Sequence, residues 1–213
     1  MNALSPDAAS RRAALAHAKW AIDCAGALGS PTIAGPMHSA LGHFSGAAPT
    51  AAERKRGLSF HRAAGDYAGK RNIRFAVEAL NRFECYFLTT MAQLEDYLGE
   101  VNHPAIQGMY DTFHANIEET DPVAAIKTIR PHMIHVHISE NDRGIPGRGH
   151  VPFAATYAGL KKAKYDGWLT IEAFGRSLPA IAAATRVWRD FFPSQESVYL
   201  EGIKHIRKGW AAA

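Results

Sequence analysis

Five short apolar runs punctuate the chain: PTIAG (31–35), IRFAVEAL (73–80), IQGMYDTF (106–113), MIHVHIS (133–139) and WLTIEAF (168–174). Each leads, directly or after a loop, into a stretch of helical periodicity. The helical stretches fall at about 6–28, 51–69, 89–101, 121–130, 153–165, 177–190 and 194–209, with Pro193 dividing the last two. Ser5 or Asp7 is placed to cap the first, and Thr50 the second. One helix followed by five strand–helix units leaves few options. Strands joined through helices run parallel, with the helices packed outside the sheet. The expectation is an α/β chain forming one domain, 1–213.

Side chains alternate across a strand. In IRFAVEAL, Ile73, Phe75, Val77 and Ala79 face one way, and Ala76 and Glu78 the other. In MIHVHI, Ile134, Val136 and Ile138 oppose His135 and His137. Gln107, Met109 and Asp111 share one face, and Thr170 and Glu172 another. Four strands thus carry an ionisable residue near the C-terminal end: Glu78, Asp111, His137 and Glu172. A single strand histidine is ordinarily a hydrogen-bonded core residue, and a single terminal glutamate a surface group. Four at one level are different, because buried charges are costly unless paired or metal-bound. Strand C-termini are also where parallel α/β folds place their chemistry. Three carboxylates and one imidazole suit Mn²⁺, Mg²⁺ or Co²⁺ better than a structural zinc. His135 lies deeper and reads as a packing or supporting histidine. His38 and His43, in the loop after the first strand, could reach a substrate mouth, but read better as plain loop residues.

Composition removes several function classes. Apolar residues make up 47% of the 213, an ordinary share for a packed core. No run of about 18 apolar residues occurs, and the N-terminus lacks the apolar stretch of a signal peptide. Cys24 and Cys85 give neither a disulfide framework nor a CxxC metal motif, which favours a cytoplasmic setting. The net charge of +4 is scattered. The runs ERKRG (53–57) and KKAK (161–164) suit solvated helix faces, so neither nucleic acid nor membrane is the expected partner.

Four strings, in order, carry a family resemblance: EALNRFE (78–84), DTFHANIEE (111–119), HVHISENDRGIPGRGHV (135–151) and GWLTIEAF (167–174). They resemble the D-tagatose 3-epimerase, or ketose 3-epimerase, family of xylose-isomerase-like sugar isomerases and epimerases. The resemblance runs from about Ser5 to the C-terminus. It implies a TIM-barrel-like (β/α) fold and places the five strands as the fourth to eighth of a barrel. The fold expected is therefore an incomplete, N-terminally truncated barrel of about five parallel strands with outer helices. The two open sheet edges of such a chain invite a homo-oligomer or poor stability.

The resemblance also implies roles. Metal ligands fall on Glu78, Asp111, His137 and Glu172, and Mn²⁺ is the ion favoured. Substrate contacts fall on Glu84, His114 and Arg143, while Arg148 is left as a solvated loop residue. The implied reaction inverts C3 of a free ketose through a metal-stabilised enediolate, with Glu78 and Glu172 exchanging base and acid roles. Two other readings stand beside it. One is a catalytically weak, truncated barrel serving as an oligomeric or partner-binding protein. The other is an endonuclease-IV-like DNA repair enzyme, which the NRFE string and the scattered charge disfavour.

Overall fold

The computed structural model describes residues 1–213. Its five strands are β1 (Thr32–Gly35), β2 (Arg74–Val77), β3 (Ile106–Asp111), β4 (Met133–Ile138) and β5 (Leu169–Ile171). They form one sheet in the order β1-β2-β3-β4-β5, every pair parallel. Eight helices surround it: α1 (Ala8–Ala27), α2 (Ala51–Gly69), α3 (Met91–Val101), α4 (Thr112–Glu118), α5 (Pro122–Ile129), α6 (Phe153–Lys162), α7 (Pro179–Thr185) and α8 (Gln195–Ala212). Sequential strand order with helical crossovers gives the TIM-barrel-like fold, open between β5 and β1. Both outer strands keep an unpaired edge.

Local chemistry fixes the helix starts. The Asp7 carboxylate accepts from the N–H groups of Ala9 and Ser10, so Asp7 rather than Ser5 caps α1. Thr50 and Glu53 form a reciprocal capping box at α2. Asp121 caps α5, with Pro122 in its first turn, where a missing N–H costs nothing.

The apolar faces meet between sheet and helices. Phe75 and Val77 of β2, Ile106 of β3, and Val136 and Ile138 of β4 are buried against Leu94, Leu98, Ile126, Ile129 and Leu160. Burial of each such side chain contributes roughly 1.5–3 kcal/mol. Helix α3 lies so close to β3 that a Cβ on Gly108 would sit 2.9 Å from Leu98 Cδ1, so a larger residue would have to push aside the tip of that side chain.

Three differences from the sequence reading bear on the site. The run 106–113 does not stay extended: the strand ends at Asp111, and Thr112 begins α4, which the reading lacked. β2 ends at Val77, before Glu78. β5 ends at Ile171, before Glu172, although the Glu172 N–H still donates to Ile138 O at 3.1 Å. Two of the four ionisable residues therefore lie just past their strands.

Candidate active site

Sheet register gathers the four strand-end residues. Asp111 is the direct neighbour of His137 across β3 and β4, and His137 pairs with Thr170, two residues before Glu172. Glu78 follows β2 on the other side, its N–H bonded to Gly35 O. Ligand atoms from Glu78, Asp111, His137 and Glu172 lie within 4.8 Å of one another. His137 Nδ1 is 3.3 Å from Asp111 Oδ2, 3.3 Å from Glu172 Oε1 and 3.7 Å from Glu78 Oε1.

These atoms are crowded yet unsatisfied. Glu78 Oε1, Asp111 Oδ2, His137 Nδ1 and Glu172 Oε2 are all buried without a hydrogen-bond partner. Such atoms are costly unless something else occupies the space between them. Three oxygens and one nitrogen fit a divalent cation. Without an ion, protons carry the imbalance. Burial, reinforced by Asp111 and Glu172, raises the Glu78 carboxyl well above the usual range. Burial alone would lower the His137 imidazole, but Asp111 and Glu172 overcome it and push it up to about 10. Burial opposes ionisation of Asp111 as well, yet His137 and His114 hold its carboxyl below the ordinary value.

Asp111 does two jobs. Its Oδ1 accepts from the N–H groups of Phe113 (2.7 Å) and His114 (3.1 Å), capping α4, while Oδ2 points at His137. The cap sets the direction of α4 and so the place of His114.

A second layer of polar groups faces the cluster. Arg143 Nη1 donates to Glu84 Oε1 at 3.0 Å, and Nη2 lies 3.0 Å from His114 Nε2. The guanidinium is packed between the rings of Phe113 and Phe174, at 4.1 and 4.8 Å. Glu84, His114 and Arg143 are all buried, so none is a solvated surface group. Arg143 takes a left-handed backbone, φ +60°, which is uncommon for a residue with a side chain. The buried Glu140 carboxylate holds that loop by accepting from the N–H groups of Asn141, Gly147 and Val151. Arg148 instead pairs with Glu201 at the surface.

His38 lies in the loop after β1, as expected, but is more than a plain loop residue. It is buried, with Nε2 3.0 Å from Glu78 O, while His43 stays exposed. His135 is half-buried edge-on against His137, its imidazole pushed down to about 4 by burial. Sequence reading also assigned nothing to Asn81 or Glu140. Asn81 sits inside the NRFE string, so its position was marked but not its hydrogen bonds.

Comparison with known proteins agrees with this fold. A family model described as a xylose isomerase-like TIM barrel matches residues 1–209. The chain is 32% identical over 197 residues to a probable ketose 3-epimerase of Synechocystis sp., covering 92% of this chain and 69% of that protein. It is 33% identical over 190 residues to a D-psicose 3-epimerase of Agrobacterium fabrum, covering 89% and 66% respectively. The crystal structure of a D-allulose 3-epimerase from Methylomonas sp. in complex with D-allulose matches with a TM-score of 0.93 at 28% identity, over 97% of this chain and 72% of that one. The chain spans about two thirds of the length of the curated relatives it matches. With the parallel strands, outer helices and strand-end cluster already described, the match over nearly the whole sequence shows that the chain belongs to the xylose isomerase-like TIM barrel family.

Proposed function

We propose that this chain, as one domain over 1–213, is a metal-dependent epimerase that inverts C3 of a free ketose. The observation that carries the reading is the convergence of four unpartnered donor atoms beside Glu84, His114 and Arg143. Relatives named as ketose 3-epimerases support it. We assign the ligands as Glu78, Asp111, His137 and Glu172 and the ion as Mn²⁺, with Mg²⁺ or Co²⁺ as substitutes. The bound ion would supply Lewis-acid stabilisation of negative charge on the sugar oxygens.

The remaining steps belong to the protein. Glu78 and Glu172 approach the pocket from separate strands, just after the inner strand β2 and just after the edge strand β5. One carboxylate removes the C3 proton, and the other delivers a proton to the opposite face. Arg143, Glu84 and His114 hold sugar oxygens and keep water from the reacting carbon. The reading carries with it a cytoplasmic setting and a homo-oligomer that covers the open edges of β1 and β5.

The test incubates the purified 213-residue chain with Mn²⁺ and a ketohexose in D₂O, followed by NMR. Deuterium entering C3 together with appearance of the C3 epimer is the expected result. Tight Mn²⁺ binding with no exchange at C3 of any ketose would overturn the epimerase reading and favour a catalytically weak binding protein.

A further inference from the structure

Glu140 is 1% exposed, yet its carboxylate is spent on main chain rather than on the cluster. Oε1 accepts from the N–H groups of Asn141 and Val151, both at 3.0 Å, and Oε2 from that of Gly147 at 2.8 Å. One side chain thereby joins the start, the middle and the end of the loop 141–150. The approach is close: a Cβ on Gly149 would sit 2.7 Å from the Glu140 carboxyl carbon. Compact loops closed in this way often carry function.

Arg143 is the residue this loop delivers. Its N–H donates to Glu140 O at 2.8 Å, and its own carbonyl accepts from the Phe174 N–H at 3.0 Å. Between those two bonds the backbone turns through φ +60°. A left-handed conformation at a residue other than glycine persists where the surroundings over-determine it. From that turn the guanidinium runs inward between Phe113 and Phe174 to Glu84, itself held by the Asn81 carboxamide at 2.9 Å. The carboxylate form of residue 140 matters, because both of its oxygens accept and three N–H groups are satisfied at once. A glutamine of the same shape turns its NH₂ toward at least one of those N–H groups, donor against donor.

We propose that Glu140 is a positioning residue: it closes the loop 141–150 onto its carboxylate and so holds Arg143 in the turn that presents the guanidinium to the pocket. Glu140 acts on the reaction only through Arg143. That Arg143 meets a sugar rests on the epimerase reading, whereas its placement by Glu140 does not.

Two measurements test the proposal. The first is the ¹H–¹⁵N signal of the buried Arg143 Nε–H in the 213-residue chain, assigned by its loss in Arg143→Lys. A sharp signal, slow to exchange with water, is expected for the wild type, and a broadened or fast-exchanging one for Glu140→Gln, whether or not the chain turns over a ketose. An unchanged signal in a folded Glu140→Gln overturns the inference and leaves the proposed function standing. The second is a double-mutant cycle on the ketose that the wild type turns over. Glu140→Gln should keep the wild-type Tm rise with Mn²⁺ and lower kcat/KM on the order of 10-fold. In the Arg143→Lys background the same change should cost less than about 3-fold more, because the group it acts through is already altered. Equal losses in the two backgrounds would show that Glu140 does not work through Arg143. Where Glu140→Gln shows no cooperative unfolding, Glu140→Asp, which keeps the charge on a shorter side chain, replaces it under the same criteria. If the wild type turns over no ketose, the epimerase reading fails separately and the Arg143 signal alone decides.

Discussion

The ring of His38 donates from Nε2 to the main-chain carbonyl oxygen of Glu78 at 3.0 Å. A carbonyl only accepts, so the His38 proton is on Nε2, and Nδ1 accepts from Ser39 Oγ at 3.0 Å. Residues that orient metal-binding groups from behind typically change metal affinity by about 10–100-fold when removed. His38→Ala should therefore weaken divalent-ion binding by about 10-fold or more, and cost about 2 kcal/mol of stability by leaving a buried carbonyl unpaired. Calorimetric Mn²⁺ titration and urea unfolding check both. An affinity within error of wild type would show that Glu78 holds its place without this histidine.

Metal addition should stabilise the fold. Binding to the folded state alone contributes about 2.7 kcal/mol when the ion is at 100 times its Kd. For a chain of this size each kcal/mol moves Tm by about 2–4 °C. Mn²⁺ should thus raise Tm by several degrees, and EDTA should reverse it. Glu172→Gln should lose the rise, since an amide replaces a charged ligand. Because Glu78 and His137 are both raised in the metal-free site, binding releases protons, and apparent affinity should climb with pH. A Tm insensitive to Mn²⁺ in the wild type would count against the four-residue site.

His61 should make stability depend on pH. It is fully buried, 2.7 Å from the Tyr97 hydroxyl, and burial lowers its imidazole to about 4 from 6.5. Above pH 6.5 folded and unfolded forms are both neutral there, and its full contribution is present. As pH falls, the unfolded chain takes up a proton that the folded chain resists, so stability declines until about pH 4. The loss from this one group between pH 7 and pH 5 is about 2 kcal/mol. Urea unfolding at both pH values should show a shallower decline for His61→Asn. Equal slopes would mean that the wild-type ring titrates normally.

Arg143→Lys should separate substrate handling from metal binding. The guanidinium reaches Glu84 and the edge of His114 while lying between two phenylalanine rings. An ammonium cannot reproduce that planar fork. If the proposed reaction is right, kcat/KM falls by about 100-fold or more, equivalent to roughly 3 kcal/mol, while the Mn²⁺ effect on Tm persists. Retained kcat/KM would remove Arg143 from the substrate site.

The strands and most helices were legible because hydrophobic alternation and capping residues are local signals. Thr50 marked the start of α2, and the HVH pattern marked the inward face of β4. Helix α4 was not legible, since the apolar character of Met109, Tyr110 and Phe113 continues past Asp111 and hides the cap within a strand-like run. His38 was missed for another reason. Its role depends on a carbonyl 40 positions away, and no local pattern records that contact. The cluster of Glu78, Asp111, His137 and Glu172 was readable as a set because the alternation of strand side chains brings distant residues to one level. The hydrogen bonds of Asn81 and Glu140 were not, because each depends on the path of a loop backbone.

Asp111 carries a consequence for how such chains diverge. One of its oxygens anchors α4 and the other belongs to the cluster, so the position cannot drift freely once catalysis is abandoned. Alanine there would strip the helix of its cap. Asparagine would still accept from Phe113 and His114 through its amide oxygen while surrendering the negative charge. Under the proposed function, asparagine at 111 would keep the barrel's shape while loosening its hold on the ion.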